Sequence, residues 1–112
     1  MGTPVRTFTV DAGFVTVPVV CPRRARGSCD GRLWLERRVG RRMTRLGVAE
    51  FFTRAGRRDP VQVGLTRSAR RLVNQKKKIK ATLRVRARDT AGNNVTARRG
   101  VEIRAAVAAR RR

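Results

Sequence analysis

The sequence predicts an all-β domain, and three observations support this prediction. First, every second residue over 79–88 is apolar, which is the period of a strand with one buried and one exposed face. Second, turn-forming residues follow at 89–94, and the alternation resumes at Val95, as expected for a long hairpin. Third, shorter stretches typical of strands occur along the rest of the 112-residue chain. This length suits one domain with one modest core.

Five strands are predicted before this hairpin, over residues 5–10, 15–21, 31–36, 46–52 and 61–65. Pro18 in the second cannot donate to a ladder, so its nitrogen should face an edge or a bulge. In the third, Leu33 and Leu35 point inward and Trp34 points outward, and in the fourth Phe51 belongs to the core. Residues 37–45 are basic and lack a clear period, so we expect a loop or a ragged edge there.

A short helix is predicted over about residues 67–74, between the fifth and sixth strands. Thr66 is its N-cap, and Ala69, Leu72 and Val73 form one apolar stripe. The lysines that follow, 76–78, are either a solvated connection or a nucleic-acid patch. Residues 1–105 are expected to form a single domain, followed by a basic Ala/Arg tail over 106–112. One core between two sheets is predicted to contain Leu35, Phe51, Val63, Leu65, Leu72, Leu83, Val85 and Ile103.

The two cysteines are predicted to form a disulfide. Cys21 ends the second strand and Cys29 nearly begins the third, so their Cα atoms could meet the required separation of ~5.5 Å. A zinc site does not fit, because the chain has no histidine and no second cysteine pair. A disulfide implies an oxidising compartment, whereas two free thiols in a cytosolic protein are the alternative.

A family resemblance is carried by an ordered combination of segments. These are 15–22, 29–35, 61–66, 69–73 and 86–93, together with Leu46, Gly47, Phe51 and Gly56. Over residues 10–105 the chain resembles the immunoglobulin-like β-sandwich repeats of large exported proteins from actinobacterial-type bacteria. The resemblance implies a sandwich of about seven antiparallel strands with one short helix. It also implies an adhesive or structural module, without enzymatic activity, beside neighbouring domains of a longer chain. The chain departs from the pattern in its Arg-rich surface, in residues 37–45 and in lacking an export signal.

The chain is strongly basic, with 29 Lys and Arg against 7 Asp and Glu and a formal net charge of +22. Such a charge favours binding to polyanions, although a solvated surface shaped by arginine-rich codon usage is the alternative. Like charges on neighbouring strands repel, and an anionic partner would offset that repulsion. We therefore predict binding to nucleic acid or anionic polysaccharide without sequence preference. The predicted binding residues are the outward set of the last hairpin, Lys80, Arg84, Arg86, Arg88, Arg98 and Arg104.

No catalytic residue, cofactor or metal site is predicted. Histidine, the usual base near neutrality, does not occur, no two carboxylates lie close in sequence, and neither serine sits in a nucleophile elbow. Asp89, Gly92 and Asn93 are assigned to a turn, with calcium binding by Asp89 and Asn93 as the alternative. No apolar run approaches the ~18 residues of a membrane span.

Two functions from different classes remain open on the sequence. The first is a structural or adhesive module of an extracellular or cell-surface bacterial protein, of which this chain would be a fragment. The second is a small cytoplasmic nucleic-acid-binding protein of ribosomal type, which the size and charge also suit. The oxidation state of the cysteines distinguishes the two.

Overall fold

The computed structural model describes residues 6–106, and within them it contains seven strands and one helix. In chain order the elements are β1 (Thr7–Thr9), β2 (Phe14–Val20), β3 (Ser28–Val39), β4 (Arg42–Arg54), β5 (Arg58–Leu65), α1 (Arg67–Lys76), β6 (Lys78–Asp89) and β7 (Asn94–Arg104). The predicted all-β fold with one helix between the fifth and sixth strands is confirmed. All but the first residue of the predicted tail lies outside the described residues.

The strands follow the order β1-β7-β6-β3-β4-β5-β2. β4 and β5 are joined by only two residue pairs, Gly47 with Leu65 and Val48 with Gly64. β1 and β2 stand at opposite ends of the order and yet contact each other. The sheet therefore folds over at the short β4–β5 junction, so that β2 and β5 lie across from β7, β6 and β3 with the core between them.

The pairing scheme is that of an immunoglobulin domain. In such domains one sheet holds the strands named A, B, E and D, and the other holds C, F and G. Here β2 pairs with β5 as B does with E, and β3, β6 and β7 are neighbours as C, F and G are. The chain is an immunoglobulin-like β-sandwich.

The first strand departs from the expected antiparallel arrangement, because β1 runs parallel to β7. All other pairings among the described strands are antiparallel. A short hairpin forces its two strands to be antiparallel, whereas parallel strands need a long connection. The rest of the domain lies between β1 and β7 in the chain, so this long connection allows the two strands to run parallel.

The buried side chains form one hydrophobic cluster that contains Leu33, Leu35, Leu83, Ile103 and the valines of β2. Every predicted core residue is buried except Leu72, which is only partly buried. Helix α1 instead buries Ala69 and Val73, which lie one turn apart on the same face. Its start is formed as predicted by Thr66, whose side chain accepts a hydrogen bond from the Ala69 N–H at 3.1 Å. The helix ends at Lys76, later than the predicted end at about residue 74, and is capped by Lys77 in the left-handed region (φ 68°).

The expectation of a loop over residues 37–45 is wrong. β3 continues to Val39, β4 begins at Arg42, and these two residues are cross-strand partners. Gly40 has a φ of +62°, which suits the first central position of a tight two-residue hairpin turn. The side chains of residues 38–45 are exposed, so these strand ends carry no apolar alternation that the sequence could reveal.

The predicted disulfide between Cys21 and Cys29 is confirmed, with the two Cα atoms 5.8 Å apart and both residues buried. The bridge closes the 22–28 loop between β2 and β3. That loop bonds to the β6–β7 turn, because the Arg26 N–H donates to Asp89 Oδ2 (3.1 Å) and the Thr90 N–H donates to the Arg26 carbonyl (2.8 Å). The disulfide loop and the last turn are thus one connected end of the sandwich.

Candidate functional site

The outward face of the β7-β6-β3-β4 sheet carries the predicted basic residues. In β6 the buried positions Ile79, Ala81, Leu83, Val85 and Ala87 alternate with the outward ones, so the predicted strand phase is right. The register places Arg84 between Trp34 on β3 and Arg98 on β7. All six predicted binding residues lie on the hairpin formed by β6 and β7, but their surroundings differ.

Arg84 is occupied by an ion pair within the protein. Its Nε lies 2.6 Å from Glu36 Oε1, a close charge contact without the alignment of a hydrogen bond. Trp34 Nε1 donates to the same oxygen at 3.0 Å. The Glu36 side chain is only 12% exposed, whereas that of Arg84 is 39% exposed. Arg84 therefore neutralises a nearly buried carboxylate, so part of its charge is already compensated within the protein.

Trp34 is half-buried on the outward face, and a charged side chain covers its ring. The guanidinium carbon of Arg45 lies 5.7 Å from the ring centroid, within the range of a cation–π contact. The sequence placed Trp34 on the outward face, as the structure shows, but did not identify what covers its ring. The cover comes from β4, which the sequence did not extend as far as Arg45.

Arg104 is also paired, through a hydrogen-bonded contact of 2.7 Å between its Nε and Glu102 Oε1. This bond lowers the pKa of the Glu102 carboxyl, and the charges of Arg104, Lys78 and Lys80 lower it further. Lys80 is the cross-strand partner of Glu102. This end of the hairpin therefore contains a carboxylate that already has cations around it.

Arg86, Arg88 and Arg98 are exposed and make no ion pair with any other described residue. Lys80 lies six residues before Arg86 on β6, which at about 3.3 Å per residue corresponds to ~20 Å. The predicted set therefore separates into three free arginines near the β6–β7 turn, two paired arginines, and a lysine at the far end of the strand.

The β6–β7 turn is held by Asp89, which is buried. Its carboxylate accepts hydrogen bonds from the Asn93 N–H (2.8 Å), from Asn93 Nδ2 (3.0 Å) and from the Arg26 N–H. The side-chain bond from Asn93 is the largest cause that lowers the pKa of the Asp89 carboxyl, and the Arg26 N–H is the next. Gly92 has a φ of +85°, a conformation that favours glycine. The Asp89 oxygens are thus occupied by protein donors.

Within residues 6–106 there is no group of three or more Cys, Asp or Glu side chains placed to hold a metal ion. In the same range, no helix has the length and apolar character needed to cross a membrane.

Comparisons with known proteins add little to this description. No protein-family model matches the chain, and a search of curated proteins gives no match. Among solved structures the chain is similar to one of murine CRIg, with 15% sequence identity and a TM-score of 0.48 over 94% of this chain and 95% of that one. A likeness at this level supports no argument about ligands, so the fold assignment rests on the strand pairing.

Proposed function

We propose that the protein is a non-enzymatic structural or adhesive module that binds polyanions without sequence preference. The observation that carries this proposal is the group of exposed arginines, Arg86, Arg88 and Arg98, that make no ion pair of 4 Å or less with a described residue. Arginine binds phosphate and sulfate through paired hydrogen bonds as well as charge. The net charge of +22 adds a long-range attraction to any polyanion.

We further propose that the module is exported, as in the bacterial immunoglobulin-like repeats that it resembles. The disulfide between Cys21 and Cys29 supports this location, since such bonds persist in oxidising compartments and are rare in the cytosol. The test is to count free thiols in unreduced protein from its own cells after it has been unfolded, because both cysteines are buried in the folded domain. No reactive thiol is the expected result, whereas two would favour the cytoplasmic nucleic-acid-binding alternative.

The binding proposal is tested with the triple variant R86Q/R88Q/R98Q, by titrating heparin and duplex DNA over a range of salt concentrations. Affinity for both should fall at least about tenfold at low salt, because three charge-assisted contacts are lost. The slope of log affinity against log salt for DNA should flatten by about 2.7, at roughly 0.9 per lost phosphate contact.

The matched control is R41Q/R67Q/R71Q, which removes the same charge from exposed positions on the β3–β4 turn and on α1. Its affinities should stay near those of the unmodified protein. An equal loss in the control would show that total charge, and not this group, governs binding. Strong preference for one DNA sequence, or binding that survives high salt, would contradict the proposal and favour a specific nucleic-acid role.

A further inference from the structure

A second basic site lies at the opposite end of β6, where β3 and β6 separate. Their pairing ends at Glu36 with Thr82. Beyond this pair β3 continues with β4 alone, while β6 remains paired with β7. The diverging edges leave a wide open cleft of about 480 Å³. On the other side of β3, Leu46 of β4 is left unpaired where the β3–β4 register shifts between Leu35 and Glu36.

Five cations line this cleft, and its one carboxylate is already taken. Arg37 and Arg38 come from the end of β3, Lys76 from the last turn of α1, and Lys78 and Lys80 from the start of β6. None of the five makes an ion pair of 4 Å or less with a described residue. Glu36, the only acidic side chain in the lining, is held by Arg84.

The charges of Lys78 and Lys80 also act on the far strand of the hairpin, where they add to the larger effect of Arg104 in lowering the pKa of Glu102. Charges in water are screened beyond ~8 Å at physiological salt. An anion therefore interacts with several of these cations at once only when it lies at the cleft. Among the described strands, the edges of β3 and β6 that border the cleft have no strand partner there.

We propose that this cleft binds a compact ligand bearing several phosphate groups. A terminal phosphate monoester carries a charge of about −1.5 to −2 near neutral pH and accepts several hydrogen bonds, so a ligand with several phosphates places several charges in a small volume. Lysine binds phosphate as a point charge and arginine as a planar fork, and the cleft offers both. This site is separate from the arginines near the β6–β7 turn, so either proposal can fail without the other.

The test is isothermal titration at 0.15 M salt with inorganic tripolyphosphate as the probe. The unmodified protein should bind one tripolyphosphate per chain, and orthophosphate should bind at least about tenfold more weakly, because it reaches fewer of the cations. K78Q/K80Q and R37Q/R38Q should each weaken tripolyphosphate binding about tenfold or more, since each removes two charged contacts. The two variants lie on different strands, so a folding defect in one of them would not by itself account for a loss of binding in both.

The matched control is R86Q/R88Q, which removes two charges about 20 Å or more along the strand from Lys80. Its affinity for tripolyphosphate should change less than about twofold, because that distance exceeds the screening length. Absence of binding, or equal losses in the control and in both cleft variants, would overturn the proposal. Equal affinities for orthophosphate and tripolyphosphate would overturn the claim that several phosphate groups are recognised.

Discussion

Removal of Arg84 should destabilise the protein more than removal of its outward neighbour Arg86, although both are arginines on the same face of β6. Arg84→Ala deletes the charge that contacts Glu36, whose side chain is only 12% exposed. Glu36 then keeps the Trp34 N–H as its one remaining partner among the described residues. A nearly buried carboxylate that loses its counter-charge is costly, because water cannot fully replace it.

The size of the effect follows from the exposure of the two side chains. An exposed ion pair contributes only about 0.2–1 kcal/mol, and a hydrogen bond to a charged group about 1.5–3 kcal/mol. Arg84 is 39% exposed, so solvent screening places the pair between these ranges. We expect Arg84→Ala to lower the free energy of unfolding by about 1–2 kcal/mol. Arg86→Ala should change it by less than about 0.5 kcal/mol.

The measurement is urea unfolding of unreduced protein, with Leu83→Ala as a reference for core loss at about 2–4 kcal/mol. A double-mutant cycle with Glu36→Gln isolates the pair, and its coupling energy should be about 1 kcal/mol. Equal small losses for Arg84→Ala and Arg86→Ala, with no coupling to Glu36, would refute the reasoning. The ion pair would then contribute nothing measurable.

Three further predictions concern the interior. Gly31→Ala should cost on the order of 3 kcal/mol in urea unfolding, because its Cβ would stand 2.5 Å from Ala87 Cα and force β3 and β6 apart; an unchanged midpoint would contradict this close approach. Thr53→Val should be neutral or stabilising in the same assay, since the buried Thr53 hydroxyl has no hydrogen-bond partner among the described residues, and a clear loss would reveal one. Asp89→Asn should destabilise at pH 7, where the lowered pKa keeps the unmodified carboxylate charged. The variant and the unmodified protein should become closer in free energy of unfolding as the pH falls below 3.8, the ordinary pKa of the carboxyl, and through its lower pKa in the folded state. A constant difference in free energy between pH 7 and pH 3 would show that the charge of Asp89 is not the cause.

The sequence predicts those parts of the fold where burial imposes a period. Strand β6 alternates over its whole length because one face is buried throughout, and the short helix shows its N-cap and its apolar stripe. The cysteine pair was also predictable, since Cys21 and Cys29 flank one short connection. The extended β3–β4 hairpin was not, because its outer residues are exposed on both faces and leave no apolar signal.

The candidate sites depend on register, which the sequence does not contain. Arg84 and Glu36 lie 48 positions apart in the chain and meet only because β3 and β6 pair with Glu36 next to Thr82. The same register ends the pairing at that point and creates the cleft lined by Lys78 and Lys80. The sequence could predict which side chains lie on the outward face, one residue at a time. It could not predict which of the basic side chains form ion pairs with carboxylates on other strands.

The parallel pairing of β1 with β7 has a mechanical consequence. The Glu102 N–H donates to the Arg6 carbonyl (2.8 Å) and the Val10 N–H to the Arg104 carbonyl (2.9 Å), so these bonds flank the pair. In a parallel pair the start of β1 and the end of β7 lie at opposite ends. A pull applied at those two points draws the strands past each other along their length, and the transverse hydrogen bonds resist it together. A module loaded in this shear geometry withstands tension better than one whose terminal strands peel apart bond by bond.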